Sequence, residues 1–185
     1  MRIISGSNKG KRIIAPKKLP VRPTTDMAKE GLFNILNNHY HFSALRVLDL
    51  FSGTGNIAYE FASRGAEAIT AVDGNFECIK FIKKTAGELD YSITAIKSDV
   101  FKYLERAPIK ADVIFADPPY NFSDVWIDVM DGLWRNKLVK HEGMVVTEHR
   151  FDTGLDAEYD GLFRKTTRRY GDTAVSIFGL GSVNG

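Results

Sequence analysis

Asp117-Pro118-Pro119-Tyr120 closes the apolar run Val113-Ile114-Phe115-Ala116, and its residue types suit one demanding task. The exocyclic amine of guanine, adenine or cytosine is a poor nucleophile because its lone pair is delocalised into the ring. A catalyst must fix the N–H bonds so that the lone pair points at an electrophile. Asp117 offers one acceptor and the Pro118 carbonyl a second. The ring of Pro118 fixes its φ, and the proline after it biases it to extended geometry, so the carbonyl direction is set. Tyr120 adds a flat face on which a base can stack, an interaction worth ~1–3 kcal/mol. Asp117 need only accept a proton late, which a carboxyl near its ordinary pKa can do.

A second group of residues, Asp49-Leu50-Phe51-Ser52-Gly53-Thr54-Gly55-Asn56, reads as the end of a strand, a glycine turn and the start of a helix. Such a turn lets a ligand lie against bare backbone and meet helix N–H groups. The same spacing also satisfies a relaxed dinucleotide fingerprint, with Asp73 placed to hold a ribose. Asp49 separates the two readings. A carboxylate four residues before Gly53 sits poorly beside a pyrophosphate but can hold the ammonium of an amino-acid-bearing cofactor such as S-adenosylmethionine. Asp99, after the next strand, can accept from an adenine amine, or can cap the following helix, as Asp73 can open a turn.

These residues need a sheet whose strand ends converge. Buried-strand runs at 46–51, 68–73, 92–97, 112–117 and 144–148 alternate with helical stretches at 57–64, 76–88 and 125–136, preceded by a helix with the apolar stripe Ala28, Leu32, Ile35, Leu36. Repeated strand and helix implies a doubly wound, mostly parallel α/β sheet. Two strand-like runs, 162–170 and 173–180, joined at Gly171-Asp172, predict a C-terminal antiparallel hairpin and a total of seven strands.

Charge is segregated. Residues 1–25 carry seven basic residues and no acid, which leaves the other 160 residues at −5 within a net charge of +2. The turn-rich segment 5–10 between Ile3-Ile4 and Ile13-Ile14, ended by Pro16, Pro20 and Pro23, predicts a short basic hairpin or arm presented to polyanions. No apolar run reaches the ~20 residues of a membrane span, and a lone Cys78 fits a reducing compartment. His39, His41, His141 and His149 lack metal-ligand spacing, so no metal is expected.

Asp49-x-Phe51-x-Gly53-x-Gly55 with Asp117-Pro118-Pro119-Tyr120 resembles the class I, Rossmann-like amino-methyltransferases. Arg2-Ile3-Ile4-Ser5-Gly6, Gly10-Lys11-Arg12, Arg22-Pro23-Thr24-Thr25-Asp26 and Lys29-Glu30-x-Leu32-Phe33-Asn34 narrow the resemblance to the RsmD family, which methylates N2 of a guanine in 16S ribosomal RNA. The resemblance implies S-adenosylmethionine as cofactor, with Asp49, Ser52 and Gly53 bordering its methionine part, Asp73 its ribose and Asp99 its adenine. Phe51 and Gly55 complete that set. It further implies Asp117, Pro118, Pro119 and Tyr120 as the catalytic group, and nucleic-acid contacts at Arg2, Lys9, Lys11, Arg12, Arg22 and Thr24. An RNA-binding arm over residues 1–25 and a methyltransferase domain over 26–185 are expected. So is a monomeric, cytoplasmic enzyme whose partner is 16S RNA or a small-subunit assembly particle, with no membrane role. Rival readings are a methylase of DNA exocyclic amines, a nicotinamide-dependent oxidoreductase and a non-catalytic RNA-binding protein. Arg164, Lys165, Arg168 and Arg169 are left without an assigned role.

Overall fold

Strand order decides which chain ends can form a site, and a computed structural model, describing residues 1–19, 21–119 and 124–181, supplies it. Among the described residues, eight strands form one sheet: β1 (Arg46–Leu50), β2 (Ala68–Asp73), β3 (Ile93–Lys97), β4 (Ala111–Ala116), β5 (Val139–Arg150), β6 (Glu158–Tyr159), β7 (Leu162–Tyr170) and β8 (Thr173–Leu180). They lie in the order β3-β2-β1-β4-β5-β8-β7-β6. The first five positions are mutually parallel, and β8 enters antiparallel between β5 and β7.

Alternate side chains of each strand feed two cores, as a sheet covered on both faces requires. Val47, Ala71, Phe115 and Val146 pack with α1 (Asp26–His39), α2 (Asn56–Ser63) and α3 (Phe76–Glu88). Leu48, Leu50, Ile114 and Val145 pack with α4 (Val100–Arg106) and α5 (Val125–Arg135). Local signals set the helix starts. Thr25 caps α1 by accepting from the Ala28 N–H at 3.2 Å, and Asn75 caps α3 by accepting from Glu77 and Cys78.

The sheet exceeds the seven expected strands by β6, whose two residues are too few to show a period. Tyr159 holds it by packing edge-on to Phe178 at 5.7 Å. β5 also begins earlier than its apolar run: Val139 pairs with Ala111, the register shifts across polar Lys140, His141 and Glu142, the last at φ +62°, and pairing resumes at Met144.

The basic segment forms a hairpin with an antiparallel bridge between Arg2 and Arg12, and it is packed onto the body. Ile3 and Ile13 are buried in the α1/α2 core, whereas Ile14 is 88% exposed. Gly6, at φ +88°, passes so close to the Ser63 carbonyl that a Cβ would lie 1.9 Å from its oxygen; no other residue fits there. The anchor is Glu60 of α2, which is fully buried. Its carboxylate accepts from the Ile4 and Ser5 N–H groups at 2.9 and 3.0 Å and from Arg64 at 2.9 Å, and pairs with the buried Lys29 ammonium at 3.2 Å. Burial lowers the Lys29 pKa, and Glu60 opposes that shift.

Removing one partner of a buried ion pair leaves the other uncompensated, at a cost of about 3–5 kcal/mol. Glu60→Ala is therefore expected to lower the Tm by about 10 °C and to open the arm to trypsin at Lys9, Lys11 and Arg12. A variant with the native digestion pattern would show that the carboxylate does not hold the arm.

Candidate active site

The C-terminal ends of the parallel strands open into a cavity of about 730 Å³. Register explains which side chains enter it. Asp49 pairs with Phe115 across β1 and β4, and Phe115 pairs with Val146 across β4 and β5. Two residues further on, Asp117 and Glu148 stand on that same face of the sheet, so Asp49, Asp117 and Glu148 all line the cavity. Val21, Arg22, Pro23 and Thr24 line it from the arm side.

The turn after β1 is tightly specified. Phe51, Gly53 and Gly55 all have positive φ (55°, 54° and 85°). A Cβ on Gly55 would come within 2.8 Å of the Tyr59 ring and 2.9 Å of Ile82, so glycine answers both a conformational and a steric demand. The Ser52 N–H donates to the Val72 carbonyl at 3.0 Å and the Gly53 N–H to Asp73 Oδ2 at 2.8 Å, binding the turn to the end of β2. Phe51 meets Phe101 edge-on at 6.1 Å. Asp73 also accepts from the Asn75 N–H at 2.7 Å, and Asp99 caps α4 by accepting from Lys102 at 3.0 Å. The turn and cap roles thus coexist with a place on the cavity wall, because a carboxylate has lone pairs to spare.

Asp49 is 1% exposed, and among the described residues its Oδ2 has no hydrogen-bond partner. Burial, reinforced by the nearby Asp73 carboxylate, pushes its pKa up to about 8, while the Ala58 N–H of α2 pulls the other way. A buried carboxyl that borders a cavity and carries an unpartnered oxygen suits a cationic ligand group. The amino-acid part of S-adenosylmethionine presents one, and Gly53, Asp73 and Asp99 lie along the same wall. The residues present fit that cofactor.

Beside this pocket, burial pushes the Asp117 carboxyl well above the usual carboxylate range. Glu148 and Asp49 raise it further, and the Arg22 guanidinium opposes them. An ordinary pKa would suffice for late proton acceptance, but level placement on adjacent strands sets two acids side by side and raises that of Asp117. Glu148 is raised as well, chiefly by burial, and is held by the Thr24 hydroxyl, which donates to its Oε2, and by Arg22. Thr24 is fixed in turn, since the Asn56 side-chain amide donates to its carbonyl at 2.9 Å and Asn56 Oδ1 accepts from Lys29.

Asp49, Phe51, Ser52, Gly53, Asp73, Asp99, Asp117, Pro118 and Pro119 all border this cavity. Arg22 and Thr24 do so too. Gly55 supports the turn from behind, against Tyr59. Tyr120 and Pro20 lie outside the described residues. Arg2, Lys9, Lys11 and Arg12 are on the hairpin, all exposed, with Arg2 paired to Asp26 at 3.1 Å. Sequence reasoning gave no role to Glu148, Phe101 or Asn56. Glu148 had a signal, an acid ending the apolar run 144–148; the strand itself runs on to Arg150 because β8 pairs it there, and nothing local shows that this acid stands level with Asp117 across β4 and β5.

An all-parallel dinucleotide fold runs 3-2-1-4-5-6, whereas here antiparallel β8 takes the place beyond β5. With the glycine turn, the acids ending β2 and following β3, and an orphaned carboxyl suited to an ammonium, fold and site define a class I, S-adenosylmethionine-dependent methyltransferase. The nicotinamide and non-catalytic readings are set aside. The chain belongs to the family described as conserved hypothetical protein 95, whose model matches residues 1–179. It is 32% identical to the Bacillus subtilis protein YlbH over 96% of this chain and 98% of that one. Ribosomal RNA small subunit methyltransferase D of Haemophilus influenzae is 30% identical over 84% and 81%. The Escherichia coli protein yhhF superimposes with a TM-score of 0.86 over 97% of each chain at 22% identity.

A cation arriving beside Asp49 lowers its pKa, so near pH 7 cofactor binding is expected to expel about one proton and to tighten as pH rises toward 8. Calorimetric titration in buffers of different ionisation enthalpy measures this. Asp49→Asn is expected to abolish the proton release and weaken binding at least tenfold, whereas native binding without buffer dependence would refute the role of Asp49.

Proposed function

We propose that this enzyme transfers a methyl group to the exocyclic N2 amine of a guanine in 16S ribosomal RNA. The observation that carries this reading is the shared cavity of Asp117, Pro118 and the Asp49 pocket: amine acceptors and a cation-binding carboxyl stand within reach of one ligand. Relatives named ribosomal RNA small subunit methyltransferase D supply the substrate class.

Asp49, Ser52, Gly53, Asp73 and Asp99 would hold S-adenosylmethionine. When bound, it offers an electrophilic methyl on a sulfonium. Asp117 and the buried Pro118 peptide carbonyl accept from the two N–H bonds of the target amine, which turns the nitrogen lone pair toward that methyl. The amine becomes acidic as it gains its new bond, and Asp117 takes the proton. Its raised pKa makes it a stronger acceptor once ionised, and Arg22 favours that ionised form. Arg2, Lys9, Lys11, Arg12 and Arg22 draw in the phosphate backbone. The base enters by leaving its stack, a cost of a few kcal/mol that is smallest for an unpaired nucleotide. The enzyme acts as a monomer in the cytoplasm, on 16S RNA or on a small-subunit assembly particle, with residues 1–25 as the RNA-binding arm and 26–185 as the methyltransferase domain.

Asp117→Ala is expected to lower methyl transfer at least 10³-fold while leaving cofactor affinity within about threefold. It should also raise the Tm, because one of two mutually repelling buried acids is removed. Full activity of that variant would overturn the assignment. Replacing Lys9, Lys11 and Arg12 together with alanine is expected to reduce the slope of log affinity against log salt by about 2; an unchanged slope would exclude the arm. Tracing a labelled methyl group onto 16S RNA extracted from a strain lacking the enzyme tests the substrate, and labelling of DNA instead would favour the rival methylase.

A further inference from the structure

Glu148 belongs to no part of the chemistry derived above, yet it is 5% exposed and lines the reaction cavity. Parallel register sets it level with Asp117 on the neighbouring strand, because Ala116 pairs with Thr147 one residue earlier. Adjacent strands lie about 4.8 Å apart, a spacing at which two carboxyl groups on one face can meet neighbouring atoms of one nucleobase edge. Oε2 accepts from the Thr24 hydroxyl, so one oxygen is anchored from the arm side while the carboxyl still borders the cavity.

Guanine presents the amine at C2 next to a second donor, N1–H, on its Watson–Crick edge. Purines with an unprotonated N1 present an acceptor there. We propose that Glu148 is the specificity-determining residue of the site, accepting a hydrogen bond from guanine N1–H while Asp117 and the Pro118 carbonyl hold the amine. The inference rests on the guanine reading above. Arg22, on the arm side of the cavity, supplies positive charge that favours both acids in their ionised, accepting forms. A base with a bare N1 would set its lone pair against a carboxylate oxygen and leave that buried acceptor unpaired, and sites built around a hydrogen bond reject such analogues strongly.

The test uses RNA with guanine, 2-aminopurine or 2,6-diaminopurine at the target position. All three carry an amine at C2, but only guanine has a proton on N1. The native enzyme is expected to methylate guanine about 10²-fold faster than either analogue. Glu148→Gln retains an oxygen for the Thr24 hydroxyl and adds an N–H that can donate to a bare N1. It is expected to lose about tenfold on guanine, to gain on the analogues and to bring the ratio within about threefold, with cofactor affinity close to native and a Tm no lower than native. An equal loss on all three substrates would overturn the proposal and assign Glu148 to anchoring Thr24 alone, as would a native enzyme that does not discriminate. If the native enzyme methylates RNA at a base other than guanine, the guanine reading itself fails, and the inference with it.

Discussion

Three buried acids, Asp49, Asp117 and Glu148, share one cavity and one face of a parallel sheet. Their mutual repulsion and desolvation constrain the rest of the molecule. Each carboxyl is pushed toward its neutral form, and each is opposed by a specific donor or cation: the Ala58 N–H, Arg22, and the Thr24 hydroxyl. Among the described residues the Asp49 Oδ2 has no hydrogen-bond partner, so one acceptor of the three acids is left free. An enzyme that must receive a sulfonium and an ammonium next to an amine donor benefits from such acids, because cationic and hydrogen-bond-donating ligands favour their ionised forms.

The same logic holds the arm. A hairpin of Lys and Arg could float in solvent, but its backbone donors are captured by the Glu60 carboxylate and its isoleucines enter the core. Lys29 joins the two regions, touching the Arg2 carbonyl, Asn56 and Glu60, and Asn56 holds the carbonyl of Thr24. A polar chain therefore runs from the hairpin to Glu148 inside the cavity.

Much of this was legible in the residues alone. Alternating apolar runs announced the parallel sheet, and acids at successive strand ends announced a ligand edge, because strand ends follow from local sequence. What escaped was set by pairing across distance. Glu148 closes a legible apolar run, but its place beside Asp117 follows from the β4–β5 register, and the two residues of β6 are held by pairing with β7 and by the Tyr159–Phe178 contact. The raised pKa of Asp117 was illegible for a related reason, since the neighbour that raises it is 31 positions away in the chain and one strand away in space. The basic character of the arm was plain, but its docking depends on Glu60, one acid on a helix that gives no sign of facing inward rather than out.

The linkage through Asn56 and Thr24 also bears on engineering. Exchanging the first 25 residues for those of another protein would sever the tether from Thr24 to an acid deep in the pocket. Such a hybrid would leave that acid without its anchor unless the graft also carried a hydroxyl side chain at the junction.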